Sequence, residues 1–126
     1  MTPFPRFADE YIERLYNGHS AFDLWQLLTT IEVRTKLPQK SWLFCRVVEW
    51  MSSTRSGVWT YHEATEIGAQ QAILSSLKSE PLLAELCPRY EIGMKSWSSE
   101  GALDEVDRWI DQHEGSVHES LMQNAR

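Results

Sequence analysis

The residues of this 126-residue chain best suited to chemistry are histidines beside carboxylates: His62-Glu63-Ala64-Thr65-Glu66, His113-Glu114 and His118-Glu119. Imidazole and carboxylate together supply metal ligands and general bases, so the spacing of each group decides what it can do. A zinc-protease helix needs His-Glu-x-x-His, which sets two imidazoles on one face, and Glu66 stands where the second histidine belongs. A di-carboxylate metal centre needs a Glu-x-x-His pair on each of two helices, and the sequence has no such pair. His113 and His118, five residues apart, project about 140° apart on an ideal helix, and Gly115 between them reads as a helix end. Glu63 and Glu66 read as first-turn carboxylates that favour a helix dipole. His19, after Gly18, reads as a turn residue.

Nucleophilic catalysis would fall to Cys45 or Cys87. Cys45 sits in an apolar helical arc, where burial raises a thiol's pKa and lowers its reactivity, and no base is placed beside Cys87. The sequence holds no nucleophile elbow, phosphate-binding loop or dinucleotide fingerprint. The expectation is therefore a non-enzyme with no catalytic residue, metal or cofactor. The competing enzyme reading is a small metal-dependent or hydrolytic protein centred on His62, Glu63 and Glu66.

Charge is unevenly distributed. Residues 1–63 carry seven basic and seven acidic side chains, whereas residues 64–126 carry five and eleven, which accounts for the whole net charge of −6. That balance opposes direct binding of nucleic acid or an anionic membrane and favours a basic protein partner. Glu100, Asp104, Asp107, Asp111 and Glu114 step by four, three, four and three, the spacing of one helical ridge, and like charges so placed are about 5–6 Å apart. Such a ridge can imitate a row of phosphates, or it can be an ordinary solvated face. Trp59 and Trp97 fall in irregular segments, unlike Trp25, Trp42, Trp50 and Trp109, and are candidates for a partner surface. The expected partner-binding set is Glu100, Asp104, Asp107, Asp111, Glu114, Trp59 and Trp97. The partner would be a toxin or a nucleic-acid-binding protein. A further alternative makes the chain a helical structural subunit, with Trp59 and Trp97 holding a homodimer.

The elements that must position these residues are helical. Ser41 to Met51 is apolar around most of its circumference, with Arg46 and Glu49 flanking Trp42 on a narrow polar strip, so a helix over about 41–53 should be wrapped by the others. Arg46 and Glu49 are spaced to pair and set its register. A first helix is expected from Thr2-Pro3 to Asn17-Gly18, and a second from a Ser20/Asp23 cap to Leu37-Pro38. A fourth, capped by Thr65, carries Ile67, Ile73, Leu74 and Leu77. A fifth opens at Ser79-Glu80-Pro81 and breaks or kinks at Pro88. A sixth opens at Ser98-Ser99-Glu100 and ends at Gly115, and a last short one is capped by Ser116 and Glu119. Val58 to His62 has strand-like composition, but a lone strand cannot satisfy its backbone, so an ordered loop or a turn of helix is expected.

The chain thus reads as all-α, a single domain over residues 1–126 of six or seven helices around the apolar helix. Two cysteines suit reduced core thiols. No run reaches the roughly 20 apolar residues of a membrane span, and no signal peptide is evident, so a cytoplasmic protein is expected.

Residues 31–94 resemble a family of small bacterial helical domains of unknown function that includes an acidic DNA-mimic protein. The resemblance rests on a helix ending in a glycine-and-aromatic segment before a helical hairpin, with Ser56-Gly57-Val58-Trp59-Thr60-Tyr61 at that place and Arg55-Ser56-Gly57 where the family has Asn-Gly-Gly. It implies a helical fold and an acidic interaction role, and it brings no catalytic residue.

Overall fold

A computed structural model describes residues 20–125. The first expected helix and His19 lie outside them. Among the described residues there are six α-helices and no strand: α1 Ala21–Glu32, α2 Gln39–Ser52, α3 Val58–Ala64, α4 Ile67–Lys78, α5 Leu86–Ser96 and α6 Asp104–Ala125. Single 3-10 turns at Ser53–Arg55 and Pro81–Leu83 lead into α3 and α5. The helices pack as one all-α domain, and none of them is long and apolar enough to cross a membrane.

Helix α2 buries Leu43, Phe44, Cys45, Val47, Val48, Trp50 and Met51 and leaves Trp42, Arg46 and Glu49 along a half-exposed strip, as its residue order requires. It packs against α1, α3, α4 and α6. The polar strip is a cross-helix clasp. Arg46 Nη2 and Nη1 lie 2.7 and 3.1 Å from the two carboxylate oxygens of Glu32 on α1, and Arg46 Nε lies 3.1 Å from Glu49 Oε1. Trp25 of α1 donates its indole N–H to Glu49 Oε2 at 2.9 Å. The pairing of Arg46 with Glu49 holds, and Glu32 and Trp25 extend it across the helix interface.

Several boundaries differ from those expected. The Ser20 hydroxyl caps α1 by accepting the Asp23 N–H, but the helix stops at Glu32 instead of Leu37-Pro38. The Arg34 and Thr35 N–H groups both turn back to the Ile31 carbonyl, which lets Leu37 drop into the core ahead of α2. Thr65 does not cap α4; Glu66 is its N-cap residue, and no side chain bonds there. Pro88 neither breaks nor kinks a helix. It is the third residue of α5, where the first-turn N–H groups have no intrahelical acceptor to lose. Ile67, expected among the apolar residues of α4, is exposed.

The largest departure is at the C-terminal end. Residues 98–103 form successive turns, with Gly101 at φ 74°, so the sixth helix opens at Asp104 and not at Ser98-Ser99-Glu100. It then runs unbroken for 22 residues through Gly115. Val106, Ile110, Val117 and Leu121 form one buried stripe spanning that glycine. An exposed glycine costs a helix up to about 1 kcal/mol, and burying Val117 and Leu121 returns about 1.5–3 kcal/mol each, so the helix continues. The expected separate last helix is the end of α6.

Candidate binding groove

Segment 57–62 is the start of a helix, not a loop, and its geometry determines where Trp59 points. Gly57 adopts φ 93°, a left-handed conformation that lets the chain leave the 3-10 turn and begin α3. A Cβ at that position would also fall 2.8 Å from Trp59 Cδ1, so the missing side chain makes room for the indole to lie back over the turn. The Val58 N–H, one of the unpaired donors of the first turn, goes to Asp107 Oδ1 of α6 at 2.8 Å. Val58 and His62 face inward and Trp59 faces outward, 44% exposed.

Trp97, at the C-cap of α5, is half-buried against the core. Together with the turn at 98–101 and the first residue of α6, it meets Trp59 around a groove of about 420 Å³. Leu103 lines its apolar side, and Glu63, Glu100 and Asp104 supply exposed carboxylates, with Ser98, Ser99 and Gly101 completing the lining. No Lys, Arg or His lines it.

Of the seven partner-binding residues expected from sequence, four line this groove: Trp59, Trp97, Glu100 and Asp104. The other three do not. Asp111 is exposed and Glu114 half-buried further along α6, while Asp107 is half-buried and engaged with Val58. Burial holds the Asp107 carboxyl above its ordinary range, Asp104 and Asp111 adding to the rise and the Val58 N–H opposing it. The five carboxylates are therefore not one even ridge: Glu100 stands on a turn ahead of the helix, and Asp107 is turned inward.

The residues suggested for catalysis are dispersed. His62 is buried on the inner side of α3, whereas Glu63 and Glu66 are exposed. Gln70 Nε2 donates to the carbonyls of His62 and Thr65, which turns Gln70 Oε1 toward His62 Nδ1 at 2.7 Å, so Nδ1 carries the proton. His62 Nε2 then accepts the Trp50 indole N–H at 3.0 Å. Both ring nitrogens are occupied, and burial depresses the His62 pKa. Gly93 of α5 approaches the imidazole so closely that a Cβ there would overlap the ring. Beside it the Tyr61 and Tyr90 hydroxyls are 2.8 Å apart.

Burial pushes the Cys45 thiol up to about 12 and raises that of Cys87, so neither is an activated nucleophile. Gly115 being helical, His113 and His118 share α6, yet they part company: His113 stacks on Trp109, and His118 meets the edge of Phe22. No group of three or more His, Cys, Asp or Glu among the described residues is arranged to hold a metal ion.

The roles of Gln70 and Gly93 beside His62 and of Asp107 as a cap are not evident in the sequence. Gln70 and Gly93 carry no local signal, and Asp107 was visible only as one acid among five. Compared with known proteins, the chain matches no family model, no curated protein and no solved structure.

Proposed function

We propose that this chain is a non-enzymatic interaction protein that binds a basic protein partner through the acidic, tryptophan-bearing surface at the start of α6. The observation that carries this reading is the groove itself: two partly exposed indoles and three carboxylates face one cleft whose lining has no cation of its own. Aromatic side chains supply contact area at low entropic cost, and the negative field steers a basic surface toward them. Toxin neutralisation suits this surface better than DNA mimicry, because the inward turn of Asp107 interrupts the phosphate-like row. The two free cysteines accord with a reducing, cytoplasmic setting.

The test is capture from a bacterial lysate at low salt, with the bound proteins identified by mass spectrometry. Wild type is expected to retain a strongly basic protein that elutes with added salt. A triple variant, Glu100→Lys with Asp104→Lys and Asp111→Lys, should lose it while keeping its helical circular dichroism. Undiminished capture by the folded triple variant sinks the reading.

A further inference from the structure

We infer that the groove is a seat for an arginine side chain of the basic partner, its guanidinium stacked on indole and paired with the carboxylates of the rim. This rests on the reading above and adds the chemistry of the recognised group.

Two other partly exposed tryptophans of this molecule are already covered by an arginine. Trp109 of α6 is covered by Arg89 of α5, whose guanidinium carbon lies 3.8 Å from the ring centroid. Trp42 of α2 has the Arg46 guanidinium carbon 6.0 Å from its ring, and that same guanidinium is held by Glu32 and Glu49. Indole, guanidinium and carboxylate thus already meet once in this fold. Half-buried Trp25 instead gives its indole N–H to Glu49, whereas among the described residues Trp59 and Trp97 have neither an arginine or lysine over the ring nor an acceptor for the indole N–H. The groove holds the indole and the carboxylate of that arrangement and lacks the cation.

Arginine suits this groove better than lysine for two physical reasons. A guanidinium is planar, weakly hydrated and able to stack on an indole face, whereas an ammonium is compact and strongly hydrated. Its paired N–H donors also match a carboxylate in two-point geometry, and Glu63, Glu100 and Asp104 offer three carboxylates around the cleft. Lysine would be drawn by the same charge without the stacking or the fork. The partner is accordingly a protein that presents an exposed arginine.

The experiment compares hexa-arginine with hexa-lysine, peptides of equal charge, by titration calorimetry against the intact protein. Hexa-arginine should bind about tenfold tighter; Trp59→Leu should remove most of that preference while leaving hexa-lysine affinity nearly unchanged, and Glu100→Gln should weaken both peptides but hexa-arginine by more, so that the preference shrinks. Both positions are exposed, and Trp97→Phe provides a conservative third variant if Trp59→Leu perturbs α3. Equal affinities for the two peptides, a preference for lysine, or an arginine preference that survives Trp59→Leu and Glu100→Gln overturns the arginine seat and leaves the acidic-surface reading standing. Failure of both peptides to bind overturns both.

Discussion

The carboxylate of Asp107 accepts the backbone N–H of Val58 at 2.8 Å, and this bond ties the acidic face of α6 to the helix that carries Trp59. One of the five acids suggested as a partner surface is thus an anchor for another part of that surface. Asp107→Ala should cost about 1 kcal/mol, as loss of a helix cap does, and should change Trp59 fluorescence. Asp107→Asn keeps an oxygen acceptor and relieves repulsion from Asp104 and Asp111, so its urea midpoint should match or exceed that of wild type. A midpoint for Asn as low as that for Ala would show that charge, not the acceptor, matters there.

Gly93 and His62 are the tightest juncture of the core. Gly93→Ala would drive a methyl group into the imidazole and force His62 off the Trp50 N–H. Overpacking and a broken buried hydrogen bond together predict a loss of about 2–4 kcal/mol in chemical denaturation. Gly115→Ala, exposed and with open space around its Cβ, should instead stabilise by up to about 1 kcal/mol. Equal effects at the two glycines would refute the assigned contact.

Acidification should destabilise the fold as the imidazoles charge. His62 and His118 both have pKa values lowered by burial from an ordinary 6.5, with Glu114 partly offsetting the effect at His118. An unfolded histidine therefore takes up a proton before the folded one does. The stability these groups contribute is present above pH 6.5 and is lost as pH falls through their folded values. The slope cannot exceed about 1.4 kcal/mol per pH unit for each histidine. Unfolding free energies at pH 7.5 and 5.5 check this, and His118→Gln should make the decline shallower. Asp107 acts in the opposite sense at lower pH: its raised pKa means that protonation favours the folded state.

The clasp between α1 and α2 predicts an asymmetry. Arg46→Met removes the partner shared by Glu32 and Glu49 and leaves two part-buried carboxylates facing each other, at a cost of about 1–3 kcal/mol. Replacing all three residues with apolar ones of similar size should recover much of that loss. Thermal unfolding of the single and triple variants distinguishes the two, and a triple variant less stable than Arg46→Met would show that the ion cluster contributes net stability.

The repeat of apolar residues along 41–51 identified α2 and its half-exposed strip of Trp42, Arg46 and Glu49, because a period of 3.6 is a local property of the chain. Capping chemistry at Ser20 was equally legible. Gly115 and Pro88 misled for a common reason. Each is a helix breaker by local propensity, and each was overruled by its place: Pro88 in a first turn with no acceptor to lose, Gly115 inside a stripe whose burial outweighs its cost. The candidate site was legible as residue types, two tryptophans outside the apolar helical repeats and an excess of acid, but not as a place.

The order of residues alone therefore establishes a helical chain, its most apolar helix and the lopsided charge, since these depend on neighbours within a turn or two. That Trp59, Trp97, Glu100 and Asp104 share one groove, that His62 belongs to Trp50 and Gln70 and not to Glu63 and Glu66, and that Asp107 reaches Val58 across 49 residues all arise from helix packing. Partners so far apart in sequence leave no periodic trace. Packing selects them by burial, which penalises every buried polar group left without a hydrogen bond.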